Sequence, residues 1–368
     1  MTQDTVGPPE GAPRRPGRFA RNRWTRLGTA AAVGALLGAS LTAWQTGALT
    51  PDGDGQVCWD ALSPADVRAV TGPEETPETT EFTDLGGRYN GDGPRGSCRV
   101  VVGRGPGVDI ELHRLRDLGP AGADRDGTRT FLTARMSPFG GGLLGMASDT
   151  AAWLAVPDGC AGRPAYQGPL VVDVRYGLVN VHDEPRADRR DILARTAVKL
   201  VNGVIDRLGC AHHVPLPRPD RTPHPPRYET GASRTFCGAP VPRAAREENE
   251  RRMRTRGGGS SSPARVCELD LPPEPRLRLT TVQDARLAAA YQDLDAGPRV
   301  HGARGDGYVR DDESMFQADC QTGKVVFLAE RPHGGGEPAL RELFGRYVAR
   351  EAERISCGPL RLRSDPER

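Results

Sequence analysis

The chain has 368 residues, a formal net charge of +2 and few aromatic residues, which make up 5% of the total. Residues 1–26 alone carry a net charge of +4, so the rest of the chain is close to neutral. A near-neutral exterior lacks the excess of basic residues that binds polyanions, which argues against nucleic acid or anionic lipid as the main partner. The length is sufficient for two domains, and the scarcity of aromatic residues predicts that each has a small core.

The first 48 residues are predicted to form a tail and a membrane span. Residues 1–23 are rich in proline and arginine, a composition typical of a disordered segment, here on the cytoplasmic side. Residues 24–48 are predicted to be a transmembrane helix, because no charged residue lies between Leu27 and Pro51.

Two tryptophans are predicted to anchor this helix at the membrane interfaces. Trp24 and Trp44 are twenty residues apart, which corresponds to a helix about 30 Å long. The arginine-rich side is expected to stay in the cytoplasm, so residues 52–368 should lie outside the cell membrane. The alternative is a cleaved signal peptide, which would make the protein secreted.

Residues 52–211 are predicted to form a first α+β module. Ser63 and Pro64 predict a helix start, with serine as the N-cap and proline at the first helical position. Alternating or β-branched runs predict strands at 98–103, 108–113 and 170–177. A long amphipathic helix before Cys210 has an apolar face formed by Leu193, Ala197, Val201, Val204, Ile205 and Leu208.

Residues 232–360 are predicted to form a second module with the same order of elements. A helix is predicted at 242–254, and strands at 267–271, 276–281 and 324–330. A second amphipathic helix has an apolar face formed by Leu340, Leu343, Phe344, Tyr347, Val348 and Ile355. The predicted fold class is therefore α+β, with two tandem, duplicated small modules after one transmembrane helix. In each predicted module, helices pack on an antiparallel sheet, and disulfides cross-link the helices and strands.

Three further segments are predicted to lack regular structure. Residues 212–231 contain six prolines between Pro215 and Pro226, which favours an extended, semi-rigid linker between the modules. The glycine- and serine-rich residues 257–263 are predicted to be a flexible loop, and residues 361–368 a disordered tail.

Eight cysteines, four in each module, indicate disulfides because the chain is expected to face an oxidising compartment. Four cysteines allow three pairings, and sequence alone does not choose between them. We expect the first to pair with the fourth and the second with the third, which gives Cys58–Cys210, Cys98–Cys160, Cys237–Cys357 and Cys267–Cys320. A metal site at Cys210, His212, His213 and His224 is the alternative for one cysteine, but prolines separate these histidines and a bonded cysteine is favoured.

The stretch CWDALSPADV at 58–67, followed by Cys98, resembles a pattern in exported, lipoprotein-like actinobacterial cell-envelope proteins of unknown function. In that family a cysteine precedes a Leu-[Ser/Thr]-Pro-x-[Asp/Glu]-Val helix start, and a later cysteine lies in a strand. The resemblance implies an α+β fold and a cell-envelope location in a high-GC Gram-positive bacterium. It departs at the anchor, where the lipid-accepting cysteine is missing, and it transfers no catalytic residue.

No catalytic, cofactor-binding or metal-binding motif is present in the sequence, so we predict no such residues and no cofactor. The tripeptide Arg304-Gly305-Asp306 matches a cell-adhesion motif. This match is expected by chance in a loop rich in glycine, arginine and aspartate, so we do not predict an adhesion role.

Two clusters of acidic residues are expected to lie in loops, with their side chains in solvent, and not to act as acid–base sites. They are His182, Asp183 and Glu184, and Asp311, Asp312 and Glu313. His113 follows a predicted strand and is expected to be exposed or satisfied. Trp59 and Trp153 are expected to be core residues rather than ligand platforms.

These observations predict a single-pass membrane protein with an extracytoplasmic part that binds an envelope protein, a glycan or a small ligand and does not catalyse a reaction. The membrane is the one partner that the sequence indicates directly. The alternative is an extracytoplasmic enzyme whose active site is assembled from distant residues that no short motif reveals.

Overall fold

The structure is a computed structural model. It describes residues 55–72, 77–85, 93–101, 107–115, 131–161, 168–177, 186–217, 229–230, 235–240, 254–257, 263–271, 274–291, 297–310, 312–331 and 338–364. Within these ranges, no helix is both long and apolar enough to cross a membrane. The predicted tail at 1–23 and the predicted transmembrane helix at 24–48, with Trp24 and Trp44, lie outside the described residues.

A seven-stranded antiparallel sheet forms the first half of the described chain. Its strands are β1 (Glu78–Asp84), β2 (Arg95–Val101), β3 (Val108–Arg114), β4 (Ser137–Pro138), β5 (Gly145–Ala147), β6 (Ala151–Ala155) and β7 (Leu170–Tyr176). They lie in the order β1-β2-β3-β7-β6-β5-β4, so β7 is central although it comes last in the chain.

A nine-stranded antiparallel sheet forms the second half, and a short hairpin of β9 (Thr235–Phe236) and β10 (Ala239–Pro240) stands apart from it. The strands of this sheet are β8 (Glu229–Thr230), β11 (Arg254–Gly257), β12 (Ala264–Leu271), β13 (Glu274–Val282), β14 (Arg299–Gly302), β15 (Gly305–Val309), β16 (Glu313–Cys320), β17 (Gly323–Glu330) and β18 (Arg363–Ser364). Their order is β18-β14-β15-β16-β17-β13-β12-β11-β8.

Two long helices and three short ones complete the described structure. They are α1 (Pro64–Thr71), α2 (Asp158–Ala161), α3 (Ala187–Arg207), α4 (Ala285–Ala288) and α5 (Pro338–Arg354). The predicted start of α1 is confirmed: the Ser63 hydroxyl accepts a hydrogen bond from the Asp66 N–H, and the Asp66 side chain accepts one from the Ser63 N–H. Asp66 also pairs with Lys199 of α3 at 2.5 Å, which ties the two helices together.

Each long helix covers one face of one sheet. The predicted apolar faces of both are confirmed: the side chains of α3 pack with Ile110 and Val172 of the first sheet, and those of α5 pack with Leu279 and Phe327 of the second. The helix spacing of apolar residues thus identified the buried face of α3 and of α5.

A third core joins the two sheets to each other. It combines Trp153 and Val171 of the first sheet with Met315, Val326 and Leu328 of the second, all at most 1% exposed. Because α3 and α5 cover the opposite faces, the layers run helix, sheet, sheet, helix. We call the sheet faces that meet in this shared core the inner faces.

This arrangement differs from the predicted pair of separate modules joined by a linker, since residues Gly55–Arg368 form one compact unit. The physical reason is the strand composition. β17 is apolar on both faces, with Val325 and Phe327 towards α5 and Val326 and Leu328 towards the first sheet. A strand that is apolar on both faces must be covered twice, and the second cover here is the other sheet.

The two sheets share one strand order. When the edge strands β8 and β18 are set aside, the order β11-β12-β13-β17-β16-β15-β14 repeats that of the first sheet. The register corresponds as well, because Ile110 of β3 lies between Cys98 and Val174, and Leu279 of β13 lies between Cys267 and Ala329.

All eight cysteines form disulfides, but the predicted pairing is wrong. The bonds are Cys58–Cys98, Cys160–Cys210, Cys237–Cys267 and Cys320–Cys357, with Cα–Cα distances of 5.4, 5.7, 5.9 and 4.8 Å. The prediction assumed that the two helix-end cysteines of each half meet. Instead, each cysteine bonds to its neighbour along the chain, because the segment before α1 lies over β2 and the end of α3 lies beside α2.

Three other segments differ from their predictions where they are described. Arg254–Gly257, at the end of the predicted helix 242–254, forms β11, and residues 242–253 lie outside the described residues. Part of the predicted linker 212–231 forms β8, and part of the predicted disordered tail 361–368 forms β18, which pairs with β14. The loop residues 258–262 are not among those described.

The shared core predicts that the two halves unfold together. Leu328→Ala should lower the free energy of unfolding by about 2–5 kcal/mol, because it leaves a cavity between the sheets. Leu216→Ala, at a position that is 51% exposed, is the control and should change it by less than about 0.5 kcal/mol. Urea denaturation with intact disulfides measures both. Two separate unfolding transitions, of which Leu328→Ala shifts only the one that belongs to the second sheet, would contradict the shared core.

Candidate functional site

Three side chains that can bind protons or metal ions meet on the inner face of the first sheet. Glu111 and His113 lie two residues apart on β3 and therefore point to the same face, and Asp173 of β7 lies directly opposite Glu111 in the register. One nitrogen or oxygen atom of each lies within 4.8 Å of the other two. We call these three residues, with Arg175, the β3–β7 cluster.

Arg175 neutralises part of the negative charge of this cluster. Its Nε donates to Asp173 Oδ2 at 2.9 Å, and its Nη2 donates to Glu111 Oε2 at 3.2 Å. The two carboxylates thus share one guanidinium on neighbouring strands.

The cluster lies where the inner face changes from exposed to buried. Along one row across the sheet, Phe82 is opposite Ser97, Ser97 opposite Glu111, Glu111 opposite Asp173, and Asp173 opposite Trp153. Phe82 is 50% exposed, whereas Asp173 is 4% and Trp153 0% exposed. The cluster therefore has one side in the shared core and one side in solvent.

His113 lacks a hydrogen-bond partner on one ring nitrogen. Its Nε2 is buried and makes no hydrogen bond to any residue that the structure describes. The prediction that His113 is either exposed or satisfied is therefore wrong for this atom. A buried polar atom without a partner costs about 1–3 kcal/mol, so its retention in a folded protein calls for an explanation.

Burial also perturbs Asp173. Loss of solvent raises the pKa of this carboxyl group, and the nearby Arg175 and His113 offset the effect only in part. A buried carboxyl group with a raised pKa beside an imidazole is suited to proton transfer or to metal binding.

The inner face of the second sheet also holds a buried charge network. Arg278 is paired with Glu268 at 3.0 Å and with Glu330 at 3.7 Å, and all three are less than 10% exposed. Glu313 begins β16 opposite Glu330 and is 6% exposed, with its carboxylate held by Arg310 at 3.3 Å.

The expectation that Glu313 lies in a solvated loop is therefore wrong, because the residue faces the shared core. Asp312 of the same group is partly exposed and pairs with Arg310 at 3.5 Å. Asp311, and the group His182, Asp183 and Glu184, lie outside the described residues.

A second feature is a cleft of about 520 Å³ at the β14–β18 edge of the second sheet. Its lining residues are His301, Gly302, Ala303, Pro359, Arg361 and Arg363. Among the described residues, this lining contains cationic side chains and no carboxylate. We call it the cationic cleft.

Asp306 supports the cationic cleft from one side and is part of the predicted adhesion-like tripeptide. Its carboxylate lies 2.5 Å from Nδ1 of His301, which favours a proton on that nitrogen. Arg304 donates to the Cys357 carbonyl at 2.9 Å. Both charged residues of Arg304-Gly305-Asp306 are thus engaged within the protein, which does not favour an adhesion role.

The remaining predictions concern residues that were expected to be structural. Trp59 and Trp153 are at most 1% exposed, which confirms them as core residues. Cys210 is bonded to Cys160, and His213 pairs with Asp206 at 2.6 Å, so these two do not form the alternative metal site. His224 lies outside the described residues.

Comparison with known proteins finds no family model that matches the sequence, no match among curated proteins and no match among solved structures.

Asp173 and Asp66, whose pKa values are shifted in opposite directions, predict pH effects of opposite sign. The pKa of Asp173 is raised in the folded state, so its contribution to stability is largest below about pH 4 and decreases as the pH rises towards the folded-state pKa. Asp173→Asn removes this titration and keeps an acceptor for Arg175. The stability of this variant relative to wild type should therefore increase between pH 4 and pH 7, as measured by urea denaturation.

Asp66 supplies the contrasting variant. Its partial burial would raise the pKa, but hydrogen bonds from Lys199 and Ser63 outweigh burial and hold the pKa below its ordinary value. Asp66→Asn should therefore be less stable than wild type by about 1 kcal/mol at pH 7. This deficit should shrink as the pH falls below about 4. If both variants followed the same pH trend, the assignment of Asp173 as a destabilised buried charge would be wrong.

Proposed function

We propose that the chain is a single-pass, membrane-anchored extracytoplasmic protein that binds an acidic group of a cell-envelope glycan and does not catalyse a reaction. Residues 24–48 are the proposed anchor, and the described residues form the proposed binding part. Four disulfides support an oxidising compartment, where such bonds persist. The resemblance of residues 58–98 to exported envelope proteins agrees with this location.

We also propose that the two halves arose by duplication. The common strand order and the common pairing of first with second and third with fourth cysteine support this. In addition, Cys58 and Cys237, the first cysteines of the two halves, both have a φ of 53°, an uncommon backbone conformation for a residue other than glycine.

The cationic cleft is the single observation that carries the proposed binding function. Arg361 and Arg363 are exposed and sit with His301 around one concave surface. A guanidinium group can donate two parallel hydrogen bonds to a carboxylate or a phosphate, which gives geometric specificity for an acidic group. The volume of the cleft suits one or two sugar units better than a protein surface.

The cleft predicts that binding to a purified acidic envelope glycan depends on its arginines. The double variant Arg361→Gln/Arg363→Gln should bind at least about tenfold more weakly than wild type at fixed ionic strength, because both charged donors are lost. Biolayer interferometry with the full chain in detergent measures this.

The control removes the same charge elsewhere. Arg346→Gln/Arg350→Gln changes two exposed arginines of α5, at 53% and 65% side-chain exposure, and should change the affinity by less than about twofold. Equal losses in both double variants would show non-specific attraction, and binding of an envelope protein but no glycan would contradict the proposed ligand class.

The proposed topology predicts that protease added to intact cells removes the part of the chain that carries the disulfides. In cells that are not treated with protease, the protein should be found in the membrane fraction. A maleimide that does not cross membranes should label no cysteine before reduction, because all eight form disulfides. Deletion of residues 24–48 should release the protein from membranes. Protection from protease in intact cells, with reduced thiols, would contradict both the anchor and the compartment.

The β3–β7 cluster favours an alternative function, an extracytoplasmic enzyme with an active site assembled from distant residues. A buried carboxyl group beside an imidazole is a common acid–base arrangement, and here it reaches the solvent-exposed part of a sheet. Turnover of a hydrolase substrate library by wild type, lost in Asp173→Asn, would favour this alternative over a pure binding function.

A further inference from the structure

Glu111, His113 and Asp173 have a composition that is typical of a metal site rather than of an ion pair. Among the residues that the structure describes, they are the group of metal-ligating side chains that comes close enough together to hold one ion. Zinc accepts imidazole nitrogen and carboxylate oxygen as ligands, and its catalytic sites have three protein ligands and one open position. All three side chains project from neighbouring strands, which fix their positions more firmly than loops would.

The hydrogen bonds of the cluster leave one ligand atom available on each residue. Arg175 occupies Oδ2 of Asp173 and Oε2 of Glu111. Within the described residues, Oδ1 of Asp173 and Oε1 of Glu111 receive no hydrogen bond, and Nε2 of His113 is buried without a partner. Arg175 therefore orients both carboxylates and leaves the second oxygen of each without a hydrogen bond, as outer partners of metal ligands commonly do.

The charge of the cluster also admits a cation. Two carboxylates and one guanidinium give a net charge of −1 when His113 is neutral, so a divalent ion is attracted in spite of Arg175. An ion bonded to Nε2 of His113 would also give this buried nitrogen the partner that it lacks.

We propose that Glu111, His113 and Asp173 bind one divalent transition-metal ion, with Zn²⁺ as the best fit. The nitrogen ligand disfavours Ca²⁺ and Mg²⁺, which prefer oxygen ligands throughout. Zinc–ligand bonds of about 2.0–2.2 Å place tetrahedral ligand atoms roughly 3.3 Å apart, so the atoms that now lie within 4.8 Å must move closer. The Glu111 side chain is 49% exposed and free enough to make this adjustment.

This site does not depend on the proposed glycan-binding function. It lies on the first sheet, whereas the cationic cleft lies on the second, so the two proposals can fail separately. Because Glu111 is half-exposed, we expect the fourth coordination position to be open to solvent, where a water molecule or a donor atom of a ligand would complete the shell.

The test is calorimetric titration of the full chain in detergent with ZnCl₂ after treatment with a chelator. The proposal expects one Zn²⁺ per chain with a dissociation constant of about 1 μM or lower. X-ray absorption of the loaded protein should give metal–nitrogen and metal–oxygen distances of about 2.0–2.2 Å and no metal–sulfur bond. Titration with CaCl₂ or MgCl₂ should show no saturable binding in the same range.

Variants locate the ion within the chain. Glu111→Gln, at a half-exposed position that does not endanger folding, should weaken Zn²⁺ binding at least about tenfold, and His113→Gln should do the same. The control is Asp109→Asn on the same face of β3, where a 48% exposed side chain pairs with Arg99, and it should stay within about twofold of wild type.

Either of two results would overturn the proposal. One is the absence of saturable Zn²⁺ binding by wild type. The other is binding that persists unchanged in Glu111→Gln and His113→Gln, which would place the ion at other histidines such as His213 or His301. If Zn²⁺ binds as expected but the glycan does not, only the proposed function of the cationic cleft is wrong. If the glycan binds as expected but Zn²⁺ does not, only the proposed metal site is wrong.

Discussion

The burial of both faces of both sheets is the constraint on which the rest of this structure depends. Each sheet has apolar side chains on two sides, and one long helix covers only one of them. The uncovered sides meet in the shared core around Trp153 and Leu328. This contact makes one folded unit of two sheets with a common strand order, and it decides which parts of each inner face remain in solvent.

The two inner faces have the same strand order and register, but the same row of positions lies partly in solvent in the first sheet and is buried in the second. In the first sheet the row Arg99, Asp109, Arg175 lies partly in solvent. The row Glu268, Arg278, Glu330 takes the same place in the second sheet with every charge inverted, and it is buried. A buried row needs a partner for every charge, whereas an exposed row is screened by water.

The same correspondence explains why the proposed metal site occurs once. By register, Thr280, Val282 and Leu328 of the second sheet occupy the places of Glu111, His113 and Asp173. All three are at most 1% exposed, inside the shared core. At the corresponding places in the second sheet, two carboxylates and an imidazole would be fully buried, whereas in the first sheet these places reach solvent at the half-exposed Glu111.

The sequence by itself determined the local structure. The Ser63 cap, the apolar faces of α3 and α5 and the alternation in β2, β3 and β12 follow from interactions a few residues apart. Cysteine pairing, the shared core and the β3–β7 cluster were decided by tertiary structure. Glu111 and Asp173 lie far apart in the chain, and the crossover that makes β7 the neighbour of β3 leaves no periodic signal. Contacts of this kind depend on strand order, which forms only when the sheets assemble.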